Sequence, residues 1–107
     1  MDSILTSIKK LLGIDVAYTH FDDDIIMQIN SALSTLTELG VGPEQGFSIS
    51  DATSVWTDFF NDPRLNFVKT YVYLKVKLAF DPPTSAALIE SCNRQLDEIT
   101  WRITVAK

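Results

Sequence analysis

The residues best suited to chemistry are three consecutive aspartates, Asp22, Asp23 and Asp24, which closely follow His20. Several carboxylates could bind a hard cation, but a calcium-binding loop needs alternating ligands, a central glycine and a closing glutamate. Consecutive residues at the start of a helix point in different directions, and acidic residues there complement the positive helix end. We therefore interpret Asp22 as a helix N-cap and predict no metal site.

The other candidate groups for catalysis stand alone in the sequence. His20 is the one histidine, and no second histidine or cysteine nearby could complete a metal site. Cys92 is the one cysteine, which excludes an internal disulfide, and it is in phase with Leu88 and Leu96 as a small buried helix residue would be. A serine or cysteine nucleophile needs a base to activate it. We therefore expect no catalytic residue, no cofactor and no enzymatic activity.

The segment from Gly40 to Gly46 holds three of the four glycines. No lysine follows it in the position of a phosphate-binding loop, so we interpret it as an exposed turn between helices. Phe47 and Ile49 alternate with serines after it, which is typical of a short extended stretch. A loop that projects from a helical protein is a natural place for contacts with a partner.

These segments must be positioned by helices, and the strongest helix signal runs from Leu65 to Phe80. The run has strand-forming residues and a weak alternation, but it spans about four turns without glycine or proline. Asp81 before Pro82 and Pro83 ends it, because proline restricts the preceding residue and donates no amide. Two apolar rows and a narrow polar seam predict a central helix that is covered from two sides. The rows are Leu65, Val68, Val72, Val76 and Ala79, and Phe67, Tyr71, Leu74 and Leu78; the seam is Lys69, Tyr73 and Lys77.

Two amphipathic helices are predicted before this segment. The first covers residues 2–12, with Asp2 or Ser3 as its cap and Gly13 as its end. The second runs from about residue 23 to 39 and ends at Gly40. Their apolar sides are Ile4, Leu5, Ile8, Leu11 and Leu12, and Ile25, Ile29, Ala32, Leu36 and Leu39 with Ile26 and Leu33.

Two further helices carry more apolar side chains than one core row needs. A helix over residues 51–60, stopped by Asn61-Asp62-Pro63, contains Val55, Trp56, Phe59 and Phe60. Part of this aromatic content could close the core and part could contact a neighbouring chain. The last helix covers residues 85–106, and Ile89, Trp101 and Val105 lie off its core row as a possible second contact surface. That core row is Leu88, Cys92, Leu96, Ile99 and Ile103.

Composition limits the class of protein. The chain has 107 residues, 46% of them hydrophobic, and a formal net charge of −5 with nine basic residues. We expect one domain over residues 1–107, an all-α bundle of about four to five helices with a projecting loop between the second and third. The sparse basic residues argue against a protein that grips duplex DNA. No signal peptide or membrane span is recognised, so we expect a soluble chain inside the cell that makes it.

The combination of these segments resembles the head-tail connector proteins of tailed bacteriophages, also called adaptor or head-completion proteins. The resemblance is carried by INSALSTLTELGVGPEQGF, by SDATSVWTDFF, and above all by YVYLKVKLAFDPP followed by LDEITWRI. It covers the chain from about Asp22 onward.

The resemblance implies a structural virion protein at the head-tail interface, made in the cytoplasm of the bacterial host. Twelve copies would form a ring beneath the portal protein, contact the stopper or tail-completion protein, and extend the channel used in DNA packaging. DNA would pass without sequence-specific binding, and no membrane would be involved. An isolated subunit in solution is compatible with this role if the ring closes only on the portal.

Rotational symmetry requires each subunit of a ring to present two different contact surfaces. The segments 40–47 and 101–107 correspond, by the resemblance, to regions that touch neighbouring subunits or the portal. The predicted interface residues are Val41, Gly42, Phe47, Trp56, Phe59, Phe60, Trp101 and Val105.

Two other functions compete with this one. A generic helical protein-binding module, such as a regulator or chaperone, would need similar apolar patches but would form a finite complex. A helix-turn-helix DNA-binding protein would need a recognition helix with several basic or amide residues. The nearest candidate, the last helix, offers Asn93, Arg94, Gln95 and Arg102 among several acids, which is too sparse.

Overall fold

The computed structural model describes residues 3–61 and 65–105, and this part of the chain folds into five helices. No strand occurs within it; an isolated antiparallel bridge joins Ser3 to Val55. The prediction of a small all-α bundle is confirmed. The helices are α1 (Ile4–Leu12), α2 (Asp22–Glu38), α3 (Trp56–Phe59), α4 (Leu65–Phe80) and α5 (Ala86–Val105).

Helix α4 is the central element, because it packs against α1, α2 and α5. Its bounds agree with the prediction. Val68, Val72 and Val76 form a fully buried row, and Tyr71 and Leu74 are buried beside it. A helix with this much apolar circumference is stable only when several neighbours cover it.

The solvent-facing side of α4 differs from the predicted seam. Lys69, Tyr73 and Lys77 are half-buried. Phe67 and Ala79, which the pattern assigned to the buried rows, are exposed. Both lie near an end of the helix, where fewer neighbours can cover an apolar side chain.

Helix α2 ends at a glycine C-cap motif, as its sequence predicts. Gly40 adopts a left-handed φ of 89°. Its N–H donates to Thr37 O at 3.0 Å, and the N–H of Val41 donates to Leu36 O at 2.9 Å. Val41 then packs in the core with Leu36, which is the apolar contact that accompanies this type of helix end.

The start of α2 differs from the prediction. Asp22 is the first helical residue, and the cap position belongs to Phe21, which makes no side-chain capping bond. The carboxylate of Asp22 instead forms an ion pair with Lys9, at 2.8 Å between Oδ1 and Nζ. The prediction of Asp22 as an N-cap is therefore wrong, because a tertiary partner takes its carboxylate.

Helix α1 has the predicted cap. Ser3 Oγ accepts the N–H of Thr6 at 3.1 Å, while Asp2, the alternative cap, lies outside the described residues. Gly13 ends the helix with a φ of 81°. Two side chains depart from the expected faces, since Leu11 is exposed and Lys9 is buried.

Helix α3 has four residues where the sequence predicted ten. Asp51 Oδ1 accepts hydrogen bonds from the N–H and the hydroxyl of Thr53, which turns the chain before a helix can start. Ser54 then accepts a backbone bond from Ile4. The helix therefore begins only after Val55, whose N–H donates to Asp58 Oδ2 at 3.0 Å. The predicted stop at Asp62-Pro63 lies outside the described residues.

Only the C-terminal half of α5 is well covered by the bundle. Leu96, Ile99 and Ile103 of the predicted core row are buried, Cys92 is half-buried, and Leu88 is 58% exposed. A 20-residue helix is about 30 Å long, whereas the 16-residue α4 is about 24 Å long. The apolar stripe of α5 therefore continues beyond the surface that it packs on.

Candidate interaction surfaces

Three of the eight predicted interface residues lie in the core. Val41, Trp56 and Phe59 are each at most 2% exposed. Trp56 and Phe59 therefore belong to the part of this aromatic content that closes the core. Val41 is buried because the glycine motif at the end of α2 turns it inward. None of the three can reach another chain without rearrangement of the fold.

Trp56 links the short helix to α1. Its indole N–H donates to Ser7 Oγ at 3.0 Å, and Ser7 in turn donates to Ser3 O at 2.7 Å. A buried indole needs such a partner for its N–H. Trp56 therefore has a structural role that its apolar surroundings and its polar contact both explain.

Three other predicted residues surround Phe59: the aromatic rings of Phe47 and Phe60 and the backbone of Gly42. The ring of Phe59 lies 5.5 Å from that of Phe47 and 6.5 Å from that of Phe60, between centroids. Gly42 has a φ of +84°, and a Cβ there would lie 2.5 Å from Phe59 Cε1. Phe47 and Phe60 are half-buried. The loop before α3 thus packs onto the bundle, and within its residues 43–46 the exposed ones are Glu44 and Gln45.

The remaining two predicted residues are exposed and share one face. Trp101 is 65% and Val105 is 61% exposed. They are four residues apart on α5, on the side opposite the buried Ile99 and Ile103. We call this pair the α5 outer patch. Whether it contacts another chain stays a prediction.

An exposed phenylalanine lies at the same end of the bundle. Phe67, on the first turn of α4, is below the guanidinium of Arg102, which is 5.7 Å from the ring centroid. Arg102 also forms an ion pair with Glu98 at 3.0 Å. The two helices are therefore antiparallel neighbours, with the C-terminal end of α5 beside the N-terminal end of α4.

A second apolar surface, which the sequence reasoning treated only as a connector, follows α1. It is an open groove of about 520 Å³. The ring of Phe21 lies 5.8 Å from that of Tyr18 and 5.4 Å from that of Phe80. We call it the connector groove; its lining residues are Ile14, Asp15, Ala17, Tyr18, Phe21 and Phe80.

Lys9 holds the wall of this groove in place. Its Nζ donates to Val16 O at 3.0 Å and to Tyr18 O at 2.7 Å, and it pairs with Asp22. Asp15 supports the same turn by accepting the N–H of Ala17 at 2.9 Å. A signal for this arrangement exists in the sequence, because Lys9 falls between Leu5 and Leu12 on the apolar face of α1.

The two apolar surfaces lie near opposite ends of α4. Phe80, at the last residue of the helix, lines the connector groove. Phe67, thirteen residues earlier, contacts Arg102, which is adjacent in sequence to Trp101. At 1.5 Å per residue the two phenylalanines are about 20 Å apart along the helix axis.

Groups that could do chemistry remain dispersed in the described residues. They contain no group of three or more metal-ligating side chains. His20 packs its ring against Phe21, at 4.9 Å between centroids. Two pKa values depart from the ordinary range: hydrogen bonds from Thr53 lower the pKa of Asp51, and burial raises the pKa of Tyr71. Both causes are local and structural. Among the same residues, no helix has the length and apolar content needed to cross a membrane.

Comparison with known proteins supplies the family. Residues 4–107 match the family model described as phage connector protein. Comparison with curated proteins and with solved structures finds no significant match. The family comprises structural components of the virion, which act through contacts with other head and tail proteins. Because the match extends over nearly the whole sequence, this chain belongs to the phage connector protein family.

Proposed function

We propose that the chain is the subunit of an adaptor ring that joins the portal of the phage head to the stopper or tail and extends the DNA channel. Family membership supports a structural role in the virion. The more specific role is supported by one structural observation: the subunit exposes two different apolar surfaces near opposite ends of its central helix.

Two different surfaces are what a ring of identical subunits requires. An isologous dimer uses one self-complementary patch, whereas a ring repeats a contact between two different patches under rotation. The connector groove and the α5 outer patch differ in shape, since one is concave and the other is a pair of side chains on the back of a helix. Each copy could therefore contact one neighbour with each surface.

The charge of the chain suits a conduit through which DNA moves. The formal net charge is −5, and several cations are already engaged: Lys9 is buried, Lys77 pairs with Asp81, and Arg102 pairs with Glu98. A protein that retains DNA instead clusters its free Lys and Arg against the phosphates. An acidic subunit would leave DNA free to slide.

The N-terminal half of α5 is the best remaining surface for the portal or the stopper. Leu88 is exposed there, although it belongs to the apolar stripe of the helix. The exposed turn at Glu44 and Gln45 and the terminal segment 101–107, of which residues 106 and 107 lie outside the described part, are the other proposed contact regions. The N-terminal half of α5 and the turn at Glu44 and Gln45 would remain available after the two ring contacts are made. The segment 101–107 carries the α5 outer patch and would already contact a neighbouring subunit.

The test is to remove the gene from the phage that encodes the chain and to examine the particles by electron microscopy. We expect DNA-filled or emptied heads separate from complete tails, with restoration by the gene supplied in trans. Purified chain mixed with portal particles should give a ring beneath the portal. Normally joined and infectious particles without the chain would rule the proposal out, and a finite complex with one host protein would favour a regulator or chaperone.

A further inference from the structure

We propose that the connector groove of one copy receives the α5 outer patch of the next copy, with Trp101 as the anchor. This assignment rests on the proposed ring and identifies which two surfaces meet in it. The partner is therefore a second copy of this chain.

The groove has the size and composition to hold a tryptophan. Clefts that bind ligands in proteins commonly have volumes of about 300–1,000 Å³, and this open groove has a volume of about 520 Å³. Ala17, Tyr18, Phe21 and Phe80 supply most of its lining. Tryptophan is the side chain most enriched among residues that anchor protein interfaces. Trp101 is 65% exposed, on a helix end that can enter an open groove.

Charge complementarity supports the same pairing. Asp15 lines the groove, and Asp23 and Asp24, two and three residues after Phe21, are exposed on the first turn of α2. The last turn of α5 carries Arg102 as its basic residue, and its side chain is 51% exposed although it pairs with Glu98 of the same helix. An acidic rim and an exposed cation next to the apolar anchor attract each other, which favours this orientation of docking.

Trp101 cannot reach the connector groove of the same subunit. The groove lies at the Phe80 end of α4, and Arg102 contacts Phe67 about 20 Å away. A contact between these two surfaces is therefore intermolecular, and its repetition leaves an open assembly with one free groove at one end and one free anchor at the other. When the assembly closes into a ring, the last free anchor binds in the last free groove.

The groove is preformed, which favours such a contact. Three Lys9 interactions hold the carbonyl oxygens of Val16 and Tyr18 and the carboxylate of Asp22. A segment that is already ordered loses less conformational entropy when a partner binds.

Crosslinking between engineered cysteines tests the pairing in full-length chain assembled on portal particles. In a Cys92→Ser background, Ala17→Cys places a thiol in the groove and Val105→Cys places one on the outer patch while Trp101 is retained. With a short bis-maleimide, the double variant should give a ladder of covalent oligomers in denaturing gels. A mixture of the two single variants should stop at dimers. The control pair Ser34→Cys with Val105→Cys should remain monomeric.

A blocking variant gives a second readout. Ala17→Arg should lower ring formation more than tenfold with unchanged helical circular dichroism, whereas Thr19→Arg, exposed but outside the groove lining, should assemble normally. Rings that form without the ladder, or a Val105→Cys thiol that crosslinks to the portal instead, would overturn the pairing and leave the proposed function intact. Phage that is infectious without the chain would overturn the function itself.

Discussion

The side-chain amide of Asn30 pairs with both backbone groups of Ile49. Its Oδ1 accepts the N–H of Ile49 at 2.7 Å, and its Nδ2 donates to the carbonyl oxygen at 2.9 Å. The amide thus makes the two hydrogen bonds that a neighbouring strand would make to Ile49, whose segment has no strand partner in the described residues. It fixes the loop after α2 on the bundle, with Ile49 buried in the core.

We predict that Asn30→Asp destabilises the fold at neutral pH by about 1–3 kcal/mol, because the carboxylate keeps one acceptor and loses the donor to a partly buried carbonyl. At pH values below the ordinary pKa of an aspartate side chain, about 4, the protonated group can donate again and part of the loss should return. Urea denaturation at several pH values measures this. Ser34→Asp, on the exposed face of α2, is the control. Equal losses in the two variants would refute the role of the amide.

The two loop glycines Gly42 and Gly46 provide a matched pair. Both have positive φ, of 84° and 92°, but a Cβ at Gly42 would overlap the ring of Phe59, whereas none of the surrounding atoms lies within 4 Å at Gly46. We expect Gly46→Ala to cost about 1–2 kcal/mol from backbone strain. Gly42→Ala should cost about 1–3 kcal/mol more, because the Phe59 ring must move. Thermal unfolding of both variants separates strain from overlap, and similar melting temperatures would mean that Phe59 yields freely.

The two tryptophans should behave differently. Trp56→Ala should destabilise the fold by about 3–5 kcal/mol, because it empties a fully buried site and removes the hydrogen bond from the indole to Ser7 Oγ. Trp101→Ala should change stability by less than about 0.5 kcal/mol, as exposed substitutions do, and should reduce ring assembly. Denaturation and tryptophan emission check this: the Trp101→Ala protein retains the buried indole and should emit at shorter wavelength. A stable, assembly-deficient Trp56→Ala protein would contradict the burial argument.

Lys9→Met should destabilise the fold by about 3–5 kcal/mol, because it leaves the Asp22 carboxylate and two carbonyl oxygens without their cation. Lys10→Met, on the exposed side of the same turn, should cost less than about 1 kcal/mol. Urea denaturation compares the two. The further change Asp22→Asn removes the carboxylate that Lys9→Met leaves without its cation, and it should recover part of the loss. If Asp22→Asn alone were as stable as the natural sequence, the ion pair would contribute nothing.

The burial of Tyr71 should make the stability of the fold sensitive to alkaline pH. Burial raises its pKa above the ordinary value, which means that folding favours the protonated phenol. This contribution is complete below the pKa of an exposed tyrosine, about 10, and is lost as pH rises through the raised pKa of the folded state. The urea midpoint of Tyr71→Phe should therefore fall less steeply above pH 10 than that of Tyr18→Phe, an exposed control. Parallel curves would show that another group controls alkaline unfolding.

The central helices could be predicted from the sequence because strong local signals bound them. Asp81 before the two prolines ends α4, and Gly40 ends α2, whatever the rest of the chain does. The buried valine row of α4 follows from periodicity in the same way. Such features depend on residues within one turn of each other.

The errors arose where a tertiary contact or a side-chain bond competes with local propensity. Asp51 and Thr53 form a turn that prevents the predicted start of α3, and Lys9 takes the carboxylate of Asp22 away from a capping role. The exposure of Leu88 depends on how far α4 reaches, which periodicity alone does not reveal.

The candidate site was predicted only in part. Trp101 and Val105 were recognised because they lie off a clear helical stripe. The connector groove was missed, since its residues have no periodicity and meet only when Phe80, from a distant helix, packs on Phe21.

The position of α4 between the two apolar surfaces has a mechanical consequence. A hydrogen-bonded helix of 16 residues is stiff along its axis. A force applied at Phe80 is therefore transmitted to Phe67, at the other end, with little bending of the helix. In a ring whose subunits contact each other through these ends, the length of α4 would set the distance between adjacent interfaces. Most of the deformation under internal pressure would then occur at the interfaces and not within the subunits.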